Sequence, residues 1–129
     1  MRETLSFRSR PEELHGIRQF VRERATSASW SSRDVEELVQ AVSEACANSM
    51  IHSGSNQLTL TWNRETERVE VQIQDEGVFG SPSGPETGRS GGHGLSIMRA
   101  FVDEVDIRKG TEDRPGTTVR LVKSATEGR

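Results

Sequence analysis

Leu5 and Phe7 alternate with polar neighbours over residues 4–8, which predicts a short edge strand at the start of the chain. Pro11 followed by Glu12 and Glu13 suits a first helical turn, where proline gives up no needed N–H and carboxylates favour the positive end of the helix dipole. Leu14, Ile17, Phe20 and Val21 continue at helical spacing, so a helix to about residue 25 is expected to bury one face. Arg18, Arg22 and Arg24 fall at the border of that face or outside it. Residues 26–32 read as a polar linker holding Trp30.

Ser31 and Asp34 form a capping-box pattern that opens a second helix. Its stripe is Val35, Leu38, Val39, Val42, Ala45, Cys46 and Ser49, and it is expected to end near residues 52–54, where Gly54 suits a left-handed cap. Leu58, Leu60 and Trp62, then Val69, Val71 and Ile73, alternate strictly around a polar turn at residues 63–67, which predicts a β-hairpin. Residues 76–91 are rich in glycine, carry Pro82 and Pro85 and have no apolar period, so they read as a loop and a candidate lid.

Leu95, Ile97, Met98, Phe101 and Val102 predict a third helix. Strands at residues 105–109 and 117–123 follow, separated by the turn residues Arg114, Pro115 and Gly116, and residues 124–129 read as a frayed tail. Strands and helices in this order imply an α+β fold, a two-layer sandwich of a mostly antiparallel sheet with helices on one face.

The chain has 129 residues, enough for one domain spanning 1–129 that buries roughly two-thirds of its unfolded surface. Only 31% of residues are hydrophobic, but they are periodic rather than scattered, so a modest core is expected. A net charge of −3 gives no global basic field, which argues against nucleic acid as the direct partner. No stretch reaches the roughly 20 apolar residues of a membrane span, and no N-terminal apolar run resembles a signal peptide. With Cys46 as the lone cysteine, a reducing, cytoplasmic location is expected.

Three features carry candidate chemistry. Glu44, Asn48 and His52 are spaced i, i+4, i+8 along the border of the second helix. Mg²⁺ takes one or two protein oxygens and leaves the rest to water and phosphate, so the Asn48 amide oxygen could serve it, with Glu44 one turn earlier to orient or deprotonate a hydroxyl. On its own this pair fits a solvated helix edge better, since such pairs are common on helices. Asp75 closes the second hairpin strand and leads into Gly77 and Gly80; a carboxylate there can accept from an exocyclic amine such as that of adenine. Gly91, Gly92 and Gly94, around His93 and before Leu95, let backbone approach a triphosphate. The order of these glycine clusters after Glu44 and Asn48 favours a nucleotide site over a solvated edge. No grouping of His and Cys supports zinc.

Glu44-Ala-Cys-Ala-Asn48-Ser-Met-Ile-His52, Asp75-Glu-Gly77, Gly92-His93-Gly94-Leu95 and Gly116-Thr117-Thr118-Val119 resemble, in order, the N, G1, G2 and G3 boxes of the GHKL ATPase superfamily. The similarity runs from residue 5 to residue 123 and looks most like the small anti-sigma-factor serine kinases. It implies a Bergerat-type sandwich with ATP between helices and lid. It further implies Asn48 as Mg²⁺ ligand, Glu44 as general base, Asp75 as acceptor for the adenine amine and Gly77 as the adenine floor. Gly92 and Gly94 would turn amides to the phosphates, and Thr117 or Thr118 would supply a hydroxyl near adenine. His52, His93 and Leu95 lie in the same boxes and count with the binding residues. Arg18 and Arg89 match arginines that serve catalysis, Arg18 also touching the partner.

One departure is plain: the second glycine of G1 is replaced by Phe79, with Gly80 one position later. The resemblance implies an anti-sigma factor that phosphorylates a small antagonist protein and forms a homodimer, for which the Leu5 and Phe7 strand offers an edge. The alternative is a nucleotide-responsive module that sequesters a regulator without phosphorylating anything.

Overall fold

The structure, a computed structural model, describes residues 1–52, 56–76, 88–108, 113 and 116–125, with residues 52 and 88–94 described through their backbone alone. Strand β1 (Arg2–Arg8) is followed by a short 3-10 turn (Pro11–Glu13), α1 (Leu14–Ser27), α2 (Ser32–His52), β2 (Gln57–Glu65) and β3 (Arg68–Asp75). Helix α3 (Gly88–Phe101), β4 (Glu104–Arg108) and β5 (Thr118–Ser124) complete the described elements. The strands form one antiparallel sheet in the order β1-β2-β3-β5-β4. This is the α+β sandwich that the pattern of elements implies.

Register explains the core. Leu5, Leu60, Ile73, Val119 and Ile107 stand in one row across all five strands, and Trp62, Val71, Leu121 and Val105 in the next. Successive residues of a strand point to opposite faces, so both rows meet the helices while Thr4, Thr61, Gln72, Arg120 and Asp106 line the open face. Helix α2 lies over β3 and β5 with α1 on one side and α3 on the other. Its stripe is buried: Val35, Leu38, Val39, Val42, Ala45 and Cys46 all belong to the core. Burial pushes the Cys46 thiol up to about 12, so it is an inert packing group at neutral pH.

The caps and ion pairs fix how the helices sit. The Ser31 hydroxyl accepts from the Asp34 N–H at 3.1 Å, which satisfies one of the orphan donors at the start of α2. The arginines at the border of α1 each reach a neighbouring element. Arg22 clasps Glu36 of α2 at 2.9 and 3.0 Å, and Arg24 clasps Glu3 of β1 at 2.6 and 2.8 Å while lying over the Phe20 ring. Glu3 thus turns a charge inward on the edge strand, a device that discourages unwanted strand pairing.

Several boundaries differ from the sequence reading. The hairpin turn contracts to Thr66 and Glu67, because residues 63–65 continue β2 and Glu65 pairs with Arg68. Strand β1 begins at Arg2, and β4 and β5 each shift by one residue, to Glu104–Arg108 and Thr118–Ser124. Helix α3 begins at Gly88, so the loop ends before residue 91. The helical period of α3 becomes visible only at Leu95 because its first turns are glycine, serine, arginine and histidine. Gly54, most of the proposed lid and residues 126–129 of the tail lie outside the described residues.

Lys123 was not expected in the core. It follows Val119 and Leu121 on the inner face of β5 and is 4% exposed. Its ammonium donates to Glu37 Oε1 at 3.0 Å and to the Phe101 carbonyl at 2.7 Å, with Asp34 Oδ1 at 3.8 Å. One buried cation therefore ties the start of α2 to the end of α3. Replacing one partner of such a group strands the others, so Lys123→Met is expected to cost about 3–5 kcal/mol in urea unfolding, with part recovered when Asp34→Asn is added.

On the open face, Arg120 donates to Glu70 at 2.6 Å and also reaches Glu104 and Asp106. Its hydrogen bond holds the Glu70 carboxyl below its ordinary value of 4.5. A carboxyl depressed by folding stabilises the fold above its unfolded pKa, and that contribution is lost as pH falls through the folded pKa. Glu70→Gln should therefore lower stability at pH 7 by about 1 kcal/mol or less, and the gap should narrow in thermal unfolding as pH falls below the ordinary carboxyl value of 4.5.

Candidate functional site

At the end of β3 the inward alternation of Val69, Val71 and Ile73 brings Asp75 to the same face, and its carboxylate is 3% exposed. Ser49 closes the buried stripe of α2 and donates to Asp75 Oδ2 at 2.5 Å. The Thr117 N–H donates to Asp75 Oδ1 at 3.4 Å, and the Asp75 N–H donates to the Thr117 carbonyl at 3.0 Å. Three segments distant in sequence thus converge on one carboxylate. Gly116 has φ +115°, and a Cβ there would stand 3.2 Å from the Asp75 carbonyl oxygen, so the chain enters β5 by a path suited to glycine.

Glu44 and Asn48 are half-buried on α2, Asn48 being the residue before Ser49. The Gln40 amide donates to Glu44 Oε2 at 3.4 Å. Arg18 of α1 donates through Nε to Ser43 Oγ at 3.1 Å, which brings its guanidinium to the segment of α2 that carries Glu44. Leu95 packs against the core from α3.

The proposed residues therefore divide. Asp75 and Thr117 meet at Ser49 of α2, Glu44 and Asn48 lie on the same half of that helix, and Arg18 is held at Ser43. Thr118 pairs with Gln74, and alternation along β5 turns it to the open face, whereas Thr117 is the threonine whose backbone meets Asp75. His52 ends α2, and Arg89, Gly92, His93 and Gly94 lie in the first turns of α3, all described by backbone alone. Gly92 and Gly94 are thus inside the helix and not ahead of it, as the sequence reading had them. Gly77 and Phe79 lie outside the described residues.

The sequence reading passed over Ser49 as a site residue. Its signal was a hydroxyl closing an otherwise apolar stripe, directly after Asn48. Among the described residues no group of three or more His, Cys, Asp or Glu side chains could hold a metal. A single amide oxygen at Asn48 instead suits an ion that takes most of its ligands from water and phosphate.

An antiparallel α+β sandwich with a buried, hydrogen-bonded carboxylate at a strand end, flanked by a helix edge bearing Glu and Asn, is the architecture of a nucleotide-binding domain. Residues 7–123 match the family described as the histidine kinase-like ATPase domain, and the chain belongs to that family. It is 31% identical to the anti-sigma F factor of Geobacillus stearothermophilus, over 95% of this chain and 92% of that protein. It is 27% identical to the serine-protein kinase RsbW of Bacillus licheniformis and 28% identical to that of Bacillus subtilis, in each case over 89% of this chain and 80% of the relative. A solved structure of the RsbU and RsbW domains of Rv1364c from Mycobacterium tuberculosis has the same fold, with a TM-score of 0.74 at 18% identity. It covers 96% of this chain, which spans 32% of that longer one.

Gly116 provides a test of the site's construction. Gly116→Ala places a side chain in a backbone region that costs about 1–3 kcal/mol and pushes against Asp75, so urea unfolding should show that loss. ATP affinity should fall along with it.

Proposed function

We propose that this chain is a cytoplasmic anti-sigma factor that uses Mg²⁺ and ATP to phosphorylate a serine or threonine of a small antagonist protein. The observation that carries the reading is the course of α2, which presents Glu44 and Asn48 along one edge while Ser49 locks onto Asp75. Relatives named serine-protein kinase RsbW and anti-sigma F factor support the same reading. Among the described residues no helix is long and apolar enough to cross a membrane. The partners are a sigma factor, held inactive, and the antagonist that is modified. The outer edge of β1 offers a surface for a homodimer, since among the described residues β2 is the strand that pairs with it.

Each residue has a task. Asp75 accepts from the adenine amine, Gly77 serves as the adenine floor, and Thr117 contributes from just before β5. Asn48 holds Mg²⁺, which when bound supplies positive charge to the phosphates. Gly92, His93, Gly94 and Leu95 belong to the segment that meets the phosphates, and His52 to the end of α2. Phosphoryl transfer asks the protein mainly for positioning and charge balance. Glu44 takes the proton of the attacking serine or threonine hydroxyl as that oxygen bonds to the terminal phosphorus and ADP leaves. Arg18 and Arg89 offset the charge on the transferring group.

A second reading, a nucleotide-responsive module that sequesters a regulator without chemistry, draws on Phe79 in place of the second G1 glycine. Radiolabelled ATP, the chain and its antagonist separate the two. The wild type should label the antagonist, and Glu44→Ala should slow labelling about 10²–10⁴-fold with ATP still bound. Binding of ATP without any transfer by the wild type, and sigma control unchanged in Glu44→Ala, would establish the module instead.

A further inference from the structure

Ser49 is a hydroxyl at a position where the rest of the α2 stripe is apolar, and it is 9% exposed. Its hydrogen bond to Asp75 Oδ2, at 2.5 Å, lies in the range of a hydroxyl donating to a charged carboxylate. A serine has one proton to donate and two lone pairs to offer. With the proton committed to Asp75, the Ser49 oxygen can act towards any further group only as an acceptor. An unanchored serine hydroxyl would rotate to donate or accept as the ligand required; this one cannot do both.

We propose that Ser49 is a positioning residue that sets base specificity, by fixing the Asp75 carboxylate and joining it as a second acceptor. Such a pair favours a base presenting an exocyclic amine and opposes one presenting a carbonyl oxygen at the same place, where acceptor would face acceptor. The inference rests on the nucleotide reading of the site and deepens it: Asp75 recognises the amine, and Ser49 keeps that carboxylate aimed. Selectivity of this origin is steep, because a buried polar group left facing the wrong partner forfeits its hydrogen bond and remains desolvated. Removing the hydroxyl takes away the bond to Oδ2 and leaves the Thr117 N–H on Oδ1, a looser hold that weakens the carboxylate's bond to an amine and relieves its opposition to a carbonyl.

ATP and inosine triphosphate differ at this group, amine against carbonyl, and calorimetric titration of both separates a positioning role from a general structural one. Ser49→Ala should bind ATP about tenfold more weakly and inosine triphosphate nearly as well as the wild type does, narrowing the preference. Ser49→Thr, which keeps the hydroxyl, should retain the wild-type ratio. Urea unfolding of each variant confirms that a folded chain is being titrated. Equal losses for the two nucleotides, or an unchanged ratio in Ser49→Ala, would overturn the role of Ser49 while leaving the ATP site standing. A wild type that binds neither nucleotide would overturn the nucleotide reading, and the Ser49 inference with it.

Discussion

Burying an ionised carboxylate costs several kcal/mol unless hydrogen bonds replace the water it loses. Asp75 meets that requirement at the end of β3 through the Ser49 hydroxyl and the Thr117 amide. The arrangement constrains the rest of the fold. Helix α2 must cross the sheet at the height that lets Ser49 reach the carboxylate. The chain must also enter β5 close enough for Thr117 to exchange backbone hydrogen bonds with Asp75, which Gly116 permits by its positive φ.

Helix α2 carries this constraint along its length. Near its C-terminal end it bears Asn48 and Ser49; near its start Asp34 and Glu37 receive Lys123. At 1.5 Å per residue Asp34 and Ser49 lie about 22 Å apart, and the buried side chains between them are apolar apart from Ser43. One anchor joins α2 to Asp75 at the end of β3, where Thr117 leads into β5, and the other joins it to β5 itself through Lys123. Lys123 also binds the carbonyl of Phe101, the last residue of α3, so the helix whose first turns carry Gly92 and Gly94 is held from behind. Arg18 and Arg22 fasten α1 to the opposite flank of α2.

Much of this was legible in the sequence because burial imposes a period. The α2 stripe and the alternation of β2 and β3 identified their elements, and the order of elements gave the sandwich. What escaped lay where period and polarity part company. Residues 63–65 are polar yet belong to β2, since a strand facing water on one side carries polar residues without ceasing to be a strand. The first turns of α3 lack apolar residues altogether, so its beginning could not be seen before Leu95. Thr117 and Thr118 could be told apart only by the pairing of β5 with β3, a long-range fact. Ser49 and Lys123 look respectively like a small core residue and a solvated lysine until the carboxylates opposite them are placed.

The central claim is that the carboxylate gathered by α2, β3 and the start of β5 recognises the base of ATP. Titration calorimetry of Asp75→Asn against the wild type, in Mg²⁺ with ATP as ligand and with folding checked by circular dichroism, addresses it directly. Asparagine is close in size but turns an amide where the charge stood. The account predicts that the wild type binds and that the folded variant loses at least about tenfold in affinity. A folded Asp75→Asn that binds ATP as tightly as the wild type would contradict it.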